Sequence, residues 1–215
     1  MQKIRIRFEK TGNARYISHL DLMRTMMRAL RRAGISVKYT EGFNPHPHLV
    51  FGNPLSLGHE SVCELCDAEI KDDIEANEIK DRLNAVMPKG LWVRAVTEQI
   101  MRQSEIAMAK YRIDIETETS AEEIKQLFSR DTIELDKKGK AGVKKVNIVP
   151  LIHAFYAQDG GNGVIISTVL AAGSSENLNP EFIVKACQNE IPSMKDSFAK
   201  YTRLAFYNID EKIFE

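Results

Sequence analysis

The 215-residue sequence predicts an α+β protein of two tandem ferredoxin-like units, each a βαββαβ run with its helices on one face of an antiparallel sheet. Three observations carry this. The first hundred residues read as strand, helix, strand, strand, helix, strand. The theme restarts after residue 110. The composition, 43% hydrophobic and 28% charged, is that of a globular chain, with no apolar run near the roughly 18 residues of a membrane span. The expected division is a first unit over residues 1–97, a helical connector over 98–109 and a second unit over 110–215.

The elements follow in order. Met1–Phe8 alternates Ile4, Ile6 and Phe8 with Lys3, Arg5 and Arg7, the pattern of a strand with one wet face. Thr11-Gly12-Asn13 is a turn. Ser18 is an N-cap, with Asp21 suited to the positive end of a helix dipole. That helix should run to about Ala33 on an apolar stripe of Met23, Met26, Met27 and Leu30, with Gly34 closing it. Ile35–Tyr39 reads as a strand, Leu49–Phe51 as a shorter one and Val62–Ile70 as a longer one. Asp73–Val86 is a helix stopped at Pro88-Lys89-Gly90, and Leu91–Val96 closes the unit.

In the second half Tyr111–Glu116 alternates like a strand. Ser120 caps a helix over Ala121–Phe128, with Glu123 in the capping-box position. Thr132–Asp136 is a strand, Lys137–Lys145 a polar loop, and Val146–Tyr156 an ambiguous stretch split by Pro150. Gly163–Leu170 is a strand, Pro180 opens a helix reaching Cys187, and Thr202–Asn208 is the last strand.

Function is read from charge and loop chemistry. The formal net charge is zero, yet residues 1–50 hold ten Lys/Arg against three acids, while residues 51–100 hold five bases against ten acids. Either the early arginines pair with the later acids, or a neutral total hides a basic face that can meet phosphates. Arg24, Arg28 and Arg32 recur at four-residue spacing along one side of the first helix, and Arg31 widens the ridge. Arginine forks suit phosphate. The segment Gly42-Phe43-Asn44-Pro45-His46-Pro47-His48 is stiffened by two prolines. Candidate RNA- or substrate-binding residues are therefore Arg15, Arg24, Arg28, Arg32, Phe43, Asn44, His46 and His48. Phe43 offers a ring for base stacking, while Phe51 is expected in the core. His19 and His46 are the candidates for general acid–base work.

No metal or other cofactor is assigned. His46 and His48 with His19, Asp21 or His59 lack a spacing that fixes a third ligand. Cys63-Glu64-Leu65-Cys66 lies within a strand, so its two thiols should face opposite ways, and Cys187 is remote. The chain has no CxxxCxxC, P-loop or GxGxxG motif. Lys137, Lys138, Lys140, Lys144 and Lys145 form a basic run that either solubilises a hairpin tip or touches an acidic partner or nucleic acid. Three cysteines and an N-terminus unlike a signal peptide suggest a reduced, cytoplasmic setting with no membrane.

Arg15-Tyr16-Ile17-Ser18-His19-Leu20-Asp21, Gly42-Phe43-Asn44-Pro45-His46-Pro47 and Pro54-Leu55-Ser56-Leu57-Gly58-His59-Glu60-Ser61 together resemble the radical SAM-linked family. This is a bacterial domain of unknown function, free-standing or fused to radical SAM proteins. The resemblance is strongest over residues 3–70. It implies a radical SAM protein as partner and, from the genes the family often neighbours, a link to RNA. It supplies no catalytic residue. The paired units also have a looser likeness to CRISPR repeat-processing endoribonucleases, at the level of fold. The expected function is an RNA-binding accessory protein of a radical SAM enzyme. The alternatives are a metal-independent ribonuclease or RNA-modifying enzyme using His19 or His46, and a protein-docking module with no nucleic-acid role.

Overall fold

A computed structural model describes residues 1–139 and 142–214. The protein is α+β, and its described residues include ten strands and four α-helices. They divide into two compact units, residues 1–105 with 214–215, and residues 106–213.

In the first unit, β1 (Gln2–Lys10) leads through a 3-10 turn (Gly12–Tyr16) to α1 (His19–Arg32). Next come β2 (Leu49–Phe51), β3 (Glu60–Ile70), α2 (Ala76–Asn84) and β4 (Leu91–Glu98). The strands lie in the order β4, β1, β3, β2, and every neighbouring pair is antiparallel. Ile4, Ile6 and Phe8 share a core with Leu22, Met26, Ala29 and Leu30 of α1 and Ile79 and Leu83 of α2, so both helices cover one face. The buried stripe of α1 thus includes Leu22 and Ala29. Met23 and Met27, expected in it, are only half-buried.

Both ends of α1 are set by local chemistry. Ser18 Oγ accepts from the Asp21 N–H at 3.1 Å, satisfying one of the free donors of the first turn. At the far end Gly34 takes φ +68°. Its N–H donates to the Arg31 carbonyl at 3.1 Å, and the Ile35 N–H to the Leu30 carbonyl at 3.0 Å. This is the Schellman closure, with Ile35 buried as its apolar contact.

Two first-unit expectations change. Ile35–Tyr39 is not a sheet strand. It makes single bridges, Val37 to Ile70 and Tyr39 to Pro47, so residues 37–48 fold back as a narrow hairpin. The face of β1 opposite the helices is also not simply wet, because Arg5 is buried there. Its Nε and Nη2 donate to the two oxygens of Asp67 at 2.8 and 2.9 Å, and Nη2 donates to the Met101 carbonyl at 2.7 Å. The Phe214 ring lies 4.6 Å from the guanidinium. Between residues 98 and 108 the expected helical connector holds a single 3-10 turn, Gln103–Glu105.

The second unit runs β5 (Met108–Glu116), α3 (Ala121–Phe128), β6 (Glu134–Gly139), β7 (Gly142–Asn147), β8 (Ile152–Gly160), β9 (Gly163–Ala171), α4 (Glu181–Glu190) and β10 (Phe198–Tyr207). Its sheet is ordered β10, β5, β9, β8, again antiparallel throughout. The segment expected as the unit's second strand lies off this sheet, since among the described residues β6 pairs with β7 alone. Much of the expected polar loop is therefore the two arms of a hairpin, while Lys140 lies outside the described residues. Pro150 sits in a 3-10 turn, Val149–Leu151, that separates this hairpin from β8. Phe128 of α3 stacks on Phe155 of β8 at 4.4 Å.

Candidate functional site

The folded chain decides which early cations find acids. On the strands and their edges some do: Arg5 pairs with Asp67, and Lys38 with Glu69 at 3.1 Å. On α1 the arginines stay in solvent. Arg24, Arg28, Arg31 and Arg32 are all exposed. Arg24 reaches Asp21 at 3.3 Å, and Arg31 donates to the Tyr39 hydroxyl at 3.4 Å. Arg28 and Arg32 make no ion pair among the described residues. Asp21 is the single acid of this helix, and its carboxyl is held below its ordinary value by the Ser18 hydroxyl, then by Arg24 and Arg28.

Arg15 is not on this ridge. It lies in the 3-10 turn before α1, with Nη1 3.9 Å from Glu60 and Nη2 donating to the Tyr16 hydroxyl at 2.6 Å. Its guanidinium also lies over the Tyr16 ring. Its backbone carbonyl accepts from Gly58 N–H at 2.9 Å, tying the loop before β3 to the start of α1.

The 37–48 hairpin meets the C-terminal end of α1 through Arg31 and Tyr39. Thr40 N–H donates to the His46 carbonyl, and His48 N–H to the Lys38 carbonyl, each at 2.8 Å. His46 is positioned further: Nδ1 lies 3.2 Å from Thr40 Oγ1 and 3.3 Å from the Asn44 carbonyl. That leaves Nε2 open to solvent on an exposed side chain. Gly42, at φ +126°, turns the tip, and Phe43 beside it stands wholly in solvent next to exposed Asn44. Phe51, by contrast, packs on the core, edge-on to Phe8 at 6.5 Å.

His19 meets Phe51 edge-to-face at 5.6 Å, at the N-terminal end of α1. His46 belongs to the hairpin at the other end. A rise of 1.5 Å per residue puts about 18 Å between positions 19 and 31, so the two histidines cannot act on one atom. His48 parts company too. Leu49 and Phe51 join the helix-side core, which turns Val50 and His48, of opposite parity, to the other face of the sheet.

A family profile described as "Uncharacterized protein conserved in bacteria (DUF2344)" matches residues 3–180. The chain belongs to this family. No curated protein matches this DUF2344 member. A chain of the solved structure described as "Crystal Structure of a Cbf5-Nop10-Gar1 Complex" superposes with a TM-score of 0.53 at 10% identity, over 94% of this chain and 48% of that one. This member therefore spans about half the length of that neighbour, and at such identity the likeness is one of fold.

The three cysteines of the DUF2344 member are all buried. Cys66 packs in the helix-side core while Cys63 lies on the opposite parity, near Ser61 Oγ. Burial pushes the Cys66 thiol well above its ordinary value, and Cys187 up to about 12, so neither is a ready thiolate. Among the described residues no three His, Cys, Asp or Glu side chains gather as metal ligands, and no helix is long and apolar enough to cross a membrane.

Sequence reasoning passed over the buried polar residues Arg5, Lys10, Glu64 and Asp67, and did not see that His59 and Glu60 are buried as well. A signal existed: acids inside the otherwise apolar run 60–70 oppose a strand carrying Arg5, Arg7 and Lys10. The register then places Arg5 directly across from Asp67.

Proposed function

We propose that this protein binds RNA through α1 and the 37–48 hairpin, as the cytoplasmic accessory of a radical SAM enzyme. One observation carries the RNA reading. Four arginines are exposed on one 14-residue helix, and the hairpin joined to its end holds Phe43 entirely in water. Like charges at four-residue spacing cost a helix a few tenths of a kcal/mol per pair. Phosphates opposite them reverse that sign. A solvated phenyl ring gains by stacking on an unpaired base, a contact that single strands offer and duplexes do not. The radical SAM partner rests on the sequence resemblance alone. We further read both units as ferredoxin-like, which their common strand order of fourth, first, third, second supports.

The test is RNA affinity across a salt series, beside an Arg24→Ala/Arg28→Ala variant. On a single strand each phosphate contact contributes about 0.7 to the slope of log K against log salt, so losing two lowers it by about 1.4. Unchanged affinity in the variant would remove α1 as the interface. Absence of RNA binding at low salt, with retention by a radical SAM protein, would favour the docking module instead.

One observation favours a second reading. Thr40 and the Asn44 carbonyl hold the His46 ring at Nδ1 with Nε2 free, the posture of a general base or acid. Cleavage of RNA in chelator that disappears in His46→Ala would establish a metal-independent ribonuclease. His19, set against Phe51, is the control.

A further inference from the structure

The sheet face turned away from α1 carries a groove of about 320 Å³ within the first unit. Its floor is Val50 of β2 and Ala68, Asp67 and Glu69 of β3. Lys3, His48 and Arg102 stand around it. The wall formed by residues 99–104 is fastened at three points. Gln99 N–H donates to the Lys3 carbonyl at 3.1 Å. Arg5 Nη2 donates to the Met101 carbonyl at 2.7 Å, and Gln103 Nε2 to the Val50 carbonyl at 2.9 Å. A wall held this way is preorganised, and binding spends little entropy in ordering it.

The charges decide what the groove accepts. Both carboxylates are already engaged, Asp67 by the buried Arg5 and Glu69 by Lys38. The Glu69 carboxyl is held below its ordinary value by Lys38 first, with Lys3 and His48 adding to the effect. Lys3 and Arg102 form no ion pair of their own among the described residues. Counting Arg5, Lys38, Lys3 and Arg102 against the two acids, the site is net positive. The volume is at the small end of ligand pockets, about 300 Å³ and upward.

We propose that this groove binds a small phosphate monoester of nucleotide size. Arg102 supplies a fork to the phosphate, Lys3 a point charge and His48 a further donor, while Val50 gives the rest of the ligand an apolar seat. The site is separate from the arginine ridge, since α1 covers the other face. It stands whether or not α1 binds RNA.

The experiment is calorimetric titration of the full chain with AMP, inorganic phosphate and adenosine. Saturable binding of AMP is expected, with adenosine much weaker. Phosphate that binds as well as AMP would assign the site to the phosphate group alone. A Lys3→Gln/Arg102→Gln variant, altered only at exposed side chains, should keep the circular dichroism of the parent and lose about tenfold or more in affinity, because two charge-assisted hydrogen bonds are removed. Arg24→Ala/Arg28→Ala should bind AMP as the parent does. No saturation by millimolar AMP or phosphate overturns the proposal. So does adenosine binding as tightly as AMP, or a loss of AMP binding in the Arg24/Arg28 variant with retention in the Lys3/Arg102 one.

Discussion

The two units reach the same strand order from unlike sequences, and they insert extra chain at the same point, between the first helix and the second strand of the sheet. In the first unit the insertion is residues 33–48, in the second residues 129–151. They differ in charge and in support: the first holds one Lys against one Glu, the second six Lys/Arg against three acids. The first is stiffened by Pro45 and Pro47 and bridged at Val37 to the end of β3, whereas β6 and β7 pair only with each other. The helices before them differ more. α1 carries Arg24, Arg28, Arg31 and Arg32 against Asp21, while α3 carries Glu122 and Glu123 against Lys125. A shared topology thus sets where a binding element can be presented, and local charge sets whether the element suits an anion. On that ground the proposed anion-binding role falls to the first unit.

Each unit buries an arginine, Arg5 in the first and Arg203 in the second, and the largest effect is expected at Arg5. Arg5 and Asp67 face each other across β1 and β3, both nearly inaccessible, with side-chain exposures of 1% and 5%. Asp67→Ala removes the carboxylate that takes two hydrogen bonds from Arg5 and leaves the guanidinium buried. Such a loss costs about 3–5 kcal/mol. Urea denaturation should show a lower midpoint with an unchanged slope. The double variant Arg5→Met/Asp67→Leu should recover most of the loss, since an apolar pair of similar volume removes the stranded charge. A small effect of Asp67→Ala would mean that water or another acid reaches Arg5.

How far these features are legible in the sequence depends on how local their causes are. The bounds of α3 can be read because its cap, first-turn acids and apolar stripe all lie within nine residues. The β6–β7 hairpin cannot, because its lysines read as loop and its pairing is with itself rather than with an apolar sheet. The second strand of that sheet is obscured by Pro150, which reads as a strand breaker in the sequence but sits in the 3-10 turn before β8. The Arg5–Asp67 pair joins residues 62 apart, a register that alternation alone does not give. At the candidate site, the ridge of Arg24, Arg28 and Arg32 follows from spacing. Whether those arginines are free or paired depends on acids elsewhere in the chain, as does the turning of His48 to the other face.

A middle-sized effect tests the caps. Ser18 and Ser120 each accept from the N–H three residues on, at 3.1 and 3.3 Å. Ser18 Oγ also donates to Asp21 Oδ2 at 2.7 Å. Either Ser→Ala change should cost about 1 kcal/mol, with Ser18 the larger. The extra loss at Ser18 should depend on pH. Asp21 titrates below its ordinary value of 3.8 in the folded protein, so its contribution is complete above that value and disappears as the pH falls through the lower folded one. Denaturation of Ser18→Ala and parent at neutral pH, and again in acid below the Asp21 transition, should therefore show a gap that narrows in acid. A gap of constant size would place the whole effect on the N–H bond.

The smallest effect belongs to an exposed pair of the second unit. Arg112 and Asp114 sit two residues apart on β5, so they project to the same face. Nη2 lies 2.6 Å from Oδ1, closer than any contact in the Arg5–Asp67 pair. If distance governed stability, Asp114→Ala would be the costlier change. Both side chains are substantially exposed, however, at 48% and 36%. Water then takes over the solvation of Arg112 once the carboxylate is gone, and salt screens what attraction there was. Asp114→Ala should shift stability by no more than about 0.5 kcal/mol, and less at high salt. A loss comparable to that of Asp67→Ala would show that the exposed face of β5 is not free in solution, and would require a partner covering it.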